Sequence, residues 1–161
     1  MKPHERFVAW QHCHRLTLLT YQLTQTFPKS ELYGITSQMR RAASSAAANI
    51  VEGCAKKGAS EFRRFLDVSL GSLAELSYFA VLARDLKFLS HEEWLAFERV
   101  HEIAGKTTMG LHKAMARRVT RGSQYVPTAE PPNRLTAYSD NSTMSRSNQR
   151  CSPARISCAS L

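Results

Sequence analysis

Apolar residues recur every three or four positions along most of the first 118 residues of the chain. This spacing places them on one face of a helix, because an α-helix completes a turn in about 3.6 residues. The pattern predicts four helices, from Glu5 to Thr26, from Glu31 to the residue before Gly53, from Ser60 to Leu86, and from Ser90 to Arg118. The sequence has no alternating pattern long enough to predict a sheet. The fold is therefore expected to be all-α.

Residues that commonly begin and end helices lie at the predicted boundaries. Pro28 ends the first helix, since proline cannot continue the helical hydrogen bonds. Ser30 is the expected N-cap of the second helix, and Gly53 is its expected left-handed C-terminal residue. Ser90 and Glu93 predict a capping box at the start of the fourth helix, in which each side chain accepts a hydrogen bond from the other residue's backbone amide. The links between the helices are consequently short.

Four helices joined by short links favour an antiparallel, up-down-up-down four-helix bundle, because a short link leaves consecutive helices antiparallel. We expect this bundle to comprise residues 1–118. From residue 119 onward the sequence is rich in Ser, Thr, Asn and Pro, has few large apolar residues and shows no helical period. Residues 119–161 are therefore predicted to form a disordered, basic, Ser/Thr/Pro-rich tail.

A run of seven small residues occupies positions 42–48 of the predicted second helix. Consecutive positions step about 100° around a helix, so this segment is small on every face. Gly71 and Ser72 lie at a similar depth in the third helix. One interpretation is close packing of these two helices, and the other is that a second side of the same segment also meets another subunit. Asn49 and Glu52 share a face and are predicted to form interhelical hydrogen bonds that fix the register.

Length and composition narrow the class of protein. The chain has 161 residues, with 22 Lys and Arg, 13 Asp and Glu and a formal charge of +9, which suits one compact domain rather than a large two-domain enzyme. The N-terminus lacks the apolar segment of a secretory signal, and the longest apolar run, Tyr78 to Ala83, is far shorter than the roughly twenty residues of a membrane span. The cysteines lack Cys-x-x-Cys spacing, and Cys13 is expected to be buried as a small apolar residue. These features predict a cytoplasmic protein that does not bind membranes.

Candidate catalytic chemistry is sparse. Glu98 and His101 have the Glu-x-x-His spacing that presents two metal ligands in ferritin-like bundles, but such a site needs a second pair and two further carboxylates. Phosphate-binding loops, nucleophile elbows and zinc-protease motifs do not occur in the sequence. We predict a non-enzymatic protein without cofactor or metal. A metal-dependent bundle enzyme that uses Glu98 and His101 is a further hypothesis.

The antiparallel topology collects basic residues where the first helix starts, the second ends, the third starts and the fourth ends. This part of the molecule, called the basic end below, has a formal charge of +7, from Lys2, Arg6, Lys56, Lys57, Arg63, Arg64, Lys113, Arg117, Arg118 and Arg121 against Glu5, Glu52 and Glu61. Three basic and four acidic residues leave the opposite end at −1. A basic surface attracts phosphate backbones without reading bases. The other interpretation is a solvated surface, with cations placed favourably at the end of the fourth helix.

Particular basic residues are candidates for phosphate contacts. The expected contacts are Lys56, Lys57, Arg63, Arg64, Arg117 and Arg118. The helix dipole does not account for the first four, because they lie in a link and at a helix start. Arg40 and Arg41 are second choices, since their position in the second helix suits subunit contacts as well as phosphates.

Several motifs of the sequence resemble a family signature. SQMRRAASS, NIVEG, FxxFL and GSLxEL occupy residues 37–45, 49–53, 62–66 and 71–76. Together with Trp10, Phe27-Pro28 and Tyr33-Gly34, they resemble the bacterial "four helix bundle protein" family, whose members include proteins encoded by intervening sequences within large-subunit ribosomal RNA genes. The similarity covers about residues 5–115.

The resemblance implies an antiparallel four-helix bundle that assembles as a cyclic homopentamer. It also implies kinship with the accessory protein of diversity-generating retroelements, a basic pentamer that binds nucleic acid and a reverse transcriptase. The leading hypothesis is a non-enzymatic, oligomeric bundle that binds RNA or DNA backbone through the basic end. The alternative is a protein-interaction scaffold or accessory subunit with no direct nucleic-acid role.

Overall fold

A computed structural model describes residues 2–123, and residues 124–161 lie outside the described part. A short 3-10 helix at Pro3–Arg6 precedes α1 (Val8–Leu23), and a second one at Lys29–Glu31 precedes α2 (Ile35–Ala55). The two remaining helices are α3 (Ala59–Asp85) and α4 (His91–Ser123). Residues 2–123 contain no strand. The all-α class predicted from the spacing of apolar residues is confirmed.

Each helix packs against two others. α1 contacts α2 and α4, and α3 contacts the same two helices, so the diagonal pairs lie across the core from each other. The interior is filled by large side chains that are fully buried, among them Leu16, Met39, Ile50, Leu66 and Phe97. The arrangement is the predicted antiparallel four-helix bundle.

Small residues hold α2 and α3 close together. Ala42 and Ala46 are fully buried, and the Ser69 hydroxyl donates a hydrogen bond to the Ala46 carbonyl over 2.8 Å. The hydroxyls of Ser45 and Ser72 lie 2.9 Å apart. Close packing of the small segment within the chain is therefore confirmed.

Gly71 does not take part in that packing. It is exposed, and a Cβ built on it would meet no atom within 4 Å. Asn49 also differs from expectation, because its amide donates to the carbonyl and hydroxyl of Ser45 within α2, over 2.8 and 3.1 Å. The predicted interhelical bonds of Asn49 and Glu52 are wrong, since a bond one turn back along the same helix takes up the Asn49 amide and Glu52 is exposed.

The helix boundaries confirm one cap and correct two. The Glu93 amide donates to the Ser90 hydroxyl over 3.1 Å, and the Ser90 amide donates to the Glu93 carboxylate over 2.8 Å, which is the predicted capping box. Ser30 is not the N-cap of α2, because it lies in the preceding 3-10 turn and Gly34 takes the cap position.

Gly53 is not a left-handed terminal residue. It lies inside α2, which continues to Ala55, and it is buried against α3. The left-handed backbone, with φ of 94°, belongs to Gly58 at the start of α3. Glycine is therefore required at Gly53 by close approach and at Gly58 by the turn. The predicted cap was wrong because glycine is the residue that suits a close helix contact as well as a left-handed helix end, and the sequence does not distinguish the two roles.

α4 is longer than its pattern predicted. It continues to Ser123, so residues 119–123, expected to begin the tail, are helical. The rest of the predicted tail, residues 124–161, lies outside the described residues.

Among residues 2–123, α3 is one helix that is long and apolar enough to cross a membrane by length and composition, with a mean hydropathy of 1.4 over 18 residues. In the bundle, Leu66, Leu73, Leu76 and Ala80 of α3 are buried in the core. A core helix meets the same criteria of length and composition as a membrane span.

Candidate nucleic-acid interface

Contacts between aromatic residues and helix ends bring the predicted basic end together. The rings of Phe7, just before α1, and Phe62, in the first turn of α3, lie 5.4 Å apart. Gly53, near the end of α2, packs against Phe62, and Arg63 of α3 reaches His112 in the second half of α4. The starts of α1 and α3 therefore lie next to the end of α2 and the second half of α4, as the antiparallel topology predicts.

Two cations, one just after α2 and one in α3, converge on one aromatic ring. The Lys56 ammonium lies 5.4 Å from the centroid of the Phe65 ring, and the Arg64 guanidinium carbon lies 5.5 Å from it. A ring attracts cations electrostatically at distances up to about 6 Å. Phe65 is itself half-buried against Gly53, so it gives both cations a fixed neighbour while Lys56 and Arg64 stay exposed.

Exposed ion pairs do not neutralise this cluster. Arg64 approaches the Glu61 carboxylate at 3.4 Å, with both side chains at least half exposed. Such surface pairs contribute about 0–1 kcal/mol, because water screens them. Lys57 is exposed in the turn between α2 and α3, and it forms no ion pair within the described residues. Lys56, Lys57 and Arg64 thus present positive charge to solvent around the turn between α2 and α3.

Arg63 has a different environment from its neighbour Arg64. Its Nε lies 3.3 Å from His112 Nε2, and the same His112 nitrogen lies 2.8 Å from an Asp67 carboxylate oxygen, so Arg63 and Asp67 approach one ring atom. Asp67 also lies at the basic end, so the local charge is lower than the count from sequence. Arg63 is consequently placed less freely than Lys56, Lys57 or Arg64.

Three arginines lie on the last turns of α4. Arg117, Arg118 and Arg121 are exposed, and within residues 2–123 none of them forms an ion pair. Since His112 lies opposite Arg63 and Asp67, α4 extends about one turn beyond the start of α3, with each residue adding about 1.5 Å. This extension carries positive charge past the body of the bundle.

Arg40 and Arg41 lie near the other end of α2, and they face different neighbours. Arg40 is half-buried and donates to Thr24, the residue after α1, whereas Arg41 pairs with Glu75 of α3 and with Gln38. The fifteen residues from Arg41 to Lys56 correspond to about 22 Å along a helix. The two second-choice arginines therefore do not join the cluster at the basic end.

Glu98 and His101 do not come together with other metal ligands. His101 Nε2 lies 2.9 Å from the Leu73 carbonyl, which occupies that ring nitrogen. Within residues 2–123, no group of three or more His, Cys, Asp and Glu side chains is arranged to hold a metal ion.

Sequence reasoning missed two parts of this surface. Phe65 stands out in the sequence only as part of the FxxFL motif, yet its ring contacts both Lys56 and Arg64. The second part is the pairing of Asp67 with His112, which are 45 positions apart in the sequence. The only local signal was that Asp67 follows Arg63 by four residues on α3, which places both on one face.

The geometry defines an all-α, antiparallel four-helix bundle with an exposed cluster of cations at one end. The sequence profile of the 23S rRNA-intervening sequence protein family matches residues 5–108, and the chain belongs to this family. The match includes Lys56, Lys57, Arg63 and Arg64 but ends before Arg117.

Among solved structures, the fold is similar to that of a protein of unknown function from the S23 ribosomal protein family of Bacteroides thetaiotaomicron. The TM-score is 0.61 at 17% identity, and the alignment covers 66% of this chain and 99% of that chain. At this identity the likeness shows the fold alone. No curated protein sequence matches the chain.

Proposed function

We propose that the protein is a non-enzymatic helical bundle that binds the phosphate backbone of RNA or DNA through its basic end. The observation that carries the proposal is the cluster of Lys56, Lys57 and Arg64, which are exposed around the Gly58 turn and held near the Phe65 ring. Phosphate oxygens are suited to such groups, because lysine and arginine donate charge-assisted hydrogen bonds to them. Arg63, Arg117 and Arg118 complete the set of expected contacts.

The proposed mode of binding is electrostatic and independent of sequence. The cations lie at helix ends and on a tight turn, and backbone contacts of this kind fix position without reading base edges. Association should release counterions and so weaken as salt rises. The family description names 23S rRNA, which makes a structured RNA the first probe and duplex DNA the second.

We further propose that the protein acts as a homopentamer in the cytoplasm. Support comes from the outer surface of α2 and α3, where Ser44, Ala48 and Gly71 are small and exposed and Val68 is 51% exposed. Small side chains allow a second helix surface to approach closely. In a ring of parallel subunits, the basic ends would lie on one face and add their fields together.

A charge-reversal pair tests the site. Lys57→Glu/Arg64→Glu changes the basic end, and Lys29→Glu/Lys87→Glu makes the same change of charge at the opposite end, where all four positions are exposed. Fluorescence anisotropy with labelled RNA and duplex DNA at low salt should show at least about tenfold weaker binding for the first variant. The second variant should bind within about threefold of the wild type. Equal losses of affinity in both variants would show that only the net charge matters, and would contradict the assignment of binding to the basic end.

The alternative is a protein-interaction scaffold or accessory subunit whose charge maintains solubility. The exposed apolar residues of α3 favour it, with Tyr78 63% exposed on the outer surface. A reverse transcriptase is one partner to test by co-purification. If neither RNA nor duplex DNA binds at low salt, the nucleic-acid proposal fails and the scaffold takes its place.

Light scattering tests the proposed homopentamer, because a mass near 18.1 kDa would be that of a monomer.

A further inference from the structure

A small cavity lies between the end of α1 and the start of α2, away from the basic end. Its volume is about 140 Å³, and its lining includes Thr24, Phe27, Lys29, Leu32, Thr36 and Arg40. A cavity of about 150 Å³ is large enough to hold benzene. No acidic side chain of the described residues lines it. The space therefore suits a compact organic group in a positively charged setting.

Arg40 brings a guanidinium that lacks a counter-ion. Its Nε donates to the Thr24 hydroxyl over 2.8 Å, its Nη2 donates weakly to the Thr24 carbonyl over 3.4 Å, and its Cζ lies 5.0 Å from the Tyr21 ring centroid. A guanidinium has five N–H groups, so three remain for another partner. Within residues 2–123, Arg40 has no carboxylate within 4.0 Å, whereas the adjacent Arg41 pairs with Glu75. A half-buried charge without a counter-ion is unfavourable, and an anion would relieve it.

Thr36 supplies an unpartnered hydroxyl in the same lining. Its side chain is 3% exposed, and its Oγ1 is buried with no hydrogen-bond partner among the described residues. Thr20 and Thr24, which are equally buried, each donate to a carbonyl one helical turn earlier over 2.8 Å. Buried hydroxyls nearly always have a partner. Because this oxygen is closed off from solvent, a ligand in the cavity becomes its partner only when the Thr36 side chain rotates towards the cavity.

The rest of the lining combines apolar residues with Gln25 and Lys29. Phe27 is buried and Leu32 is half-exposed at the rim, while Lys29 is exposed beside them. We propose that this cavity binds a compact organic monocarboxylate. Its carboxylate meets Arg40 and Lys29, and it meets the Thr36 hydroxyl after rotation of that side chain, while its apolar part packs against Phe27 and Leu32. The site is independent of nucleic-acid binding, because none of its residues belongs to the basic end.

Isobutyrate is a suitable probe, with uncharged isobutyramide as its matched control. Saturation-transfer difference NMR on the full chain, at constant ionic strength, detects weak ligands of large assemblies through the ligand's methyl signals. Isobutyrate should bind and isobutyramide should not. Inorganic phosphate at the same concentration should not displace isobutyrate, since it has no apolar part to bury.

Three variants test the assigned residues. Arg40→Gln should weaken isobutyrate binding about tenfold or more, because it removes hydrogen bonds to a charged group. Thr36→Val keeps the side-chain shape and should weaken binding about threefold or more, which gives a second test if circular dichroism shows that Arg40→Gln has lost helix. Arg41→Gln, next in sequence and paired with Glu75, should bind isobutyrate as the wild type does.

The proposal is overturned if isobutyramide binds as well as isobutyrate, or if folded Arg40→Gln and Thr36→Val both keep wild-type affinity. Displacement by an equal concentration of phosphate would overturn the monocarboxylate assignment, because it would show a general anion site. Loss of RNA binding in the basic-end variants, with isobutyrate binding unchanged, would separate the two sites.

Discussion

Gly53 of α2 lies directly against Phe62 of α3. A Cβ built on Gly53 would come within 2.6 Å of Cδ2 of Phe62 and 2.8 Å of the Cβ of Phe65, which is closer than side chains pack. Phe62 is buried and has the Phe7 ring on another side, 5.4 Å away, so its ring has little room to move. This contact fixes the distance between the end of α2 and the start of α3, and with it the position of Lys56 beside Phe65.

Gly53→Ala should therefore destabilise the protein by about 1–3 kcal/mol, the usual cost of overpacking. Gly71→Ala is the matched control, because its new methyl group would meet nothing within 4 Å. That control should leave stability unchanged or raise it by up to about 1 kcal/mol, since alanine favours helix more than glycine does. Urea unfolding followed by circular dichroism measures both. Equal effects at the two positions would contradict the close contact.

Ala46 and Ala48 should respond differently to the same substitution. Ala46 is fully buried between α2 and α3, and Ala48 is exposed on the outer surface of α2. Ala46→Leu should cost about 3 kcal/mol or more, because three added carbon atoms cannot fit where Ser69 bonds to the Ala46 carbonyl. Ala48→Leu should change the free energy of unfolding by less than about 0.5 kcal/mol in the separate subunit. Thermal unfolding at matched protein concentration tests the pair, and a tolerated Ala46→Leu would refute the tight interface.

Cys13 should make stability depend on alkaline pH. Burial raises the pKa of its thiol, while the Thr108 hydroxyl, 3.5 Å from its sulfur, lowers it by a smaller amount. The unfolded thiol ionises first, from about pH 8.5. The contribution of Cys13 is therefore complete below that pH and is lost as the pH rises towards the folded-state value, with a slope of at most about 1.4 kcal/mol per pH unit.

The comparison with Cys13→Ala isolates this effect from other groups that ionise at high pH. Urea unfolding at several values between pH 7 and pH 10 should give a steeper loss of stability for the wild type than for the variant. Parallel pH profiles would show that Cys13 does not remain protonated in the folded protein.

The start of α4 depends on the Ser90 hydroxyl. It accepts a hydrogen bond from the Glu93 amide over 3.1 Å, so Ser90→Ala should cost about 1 kcal/mol. Ser60→Ala is a suitable control, because Ser60 is an exposed serine near the start of α3 without a side-chain hydrogen bond among the described residues. It should change stability by less than about 0.5 kcal/mol. An unchanged free energy of unfolding for Ser90→Ala, measured by chemical denaturation, would argue against the capping box.

The arginines at the end of α4 should contribute to the salt dependence of binding. Arg117→Gln/Arg118→Gln removes two exposed cations that lie beyond the part of the chain matched by the family profile. For duplex DNA, each lost phosphate contact should reduce the slope of log K against log salt by about 0.9, hence by about 2 for the pair. Anisotropy titrations between about 50 and 200 mM salt measure this slope. An unchanged slope would place the phosphate contacts on the α2–α3 turn alone.

The sequence by itself determined which segments are helical and in what order they pack. The spacing of Leu66, Leu73 and Leu76, or the Ser90 and Glu93 pair, depends on interactions within a few residues, which the sequence displays directly. Short links then left one simple topology, and this topology placed Lys56, Lys57, Arg63 and Arg64 together.

Tertiary structure decided the roles that depend on distant neighbours. Arg40 and Arg41 are adjacent in sequence, yet a step of about 100° around α2 turns one towards Thr24 and the other towards Glu75. Gly53 serves a close approach rather than a helix end, because Phe62 comes from the next helix. The pairing of Asp67 with His112 is likewise absent from any local pattern, since it requires α3 and α4 to be in a defined register. Lys56 reaches the Phe65 ring because the link between α2 and α3 turns back on α3.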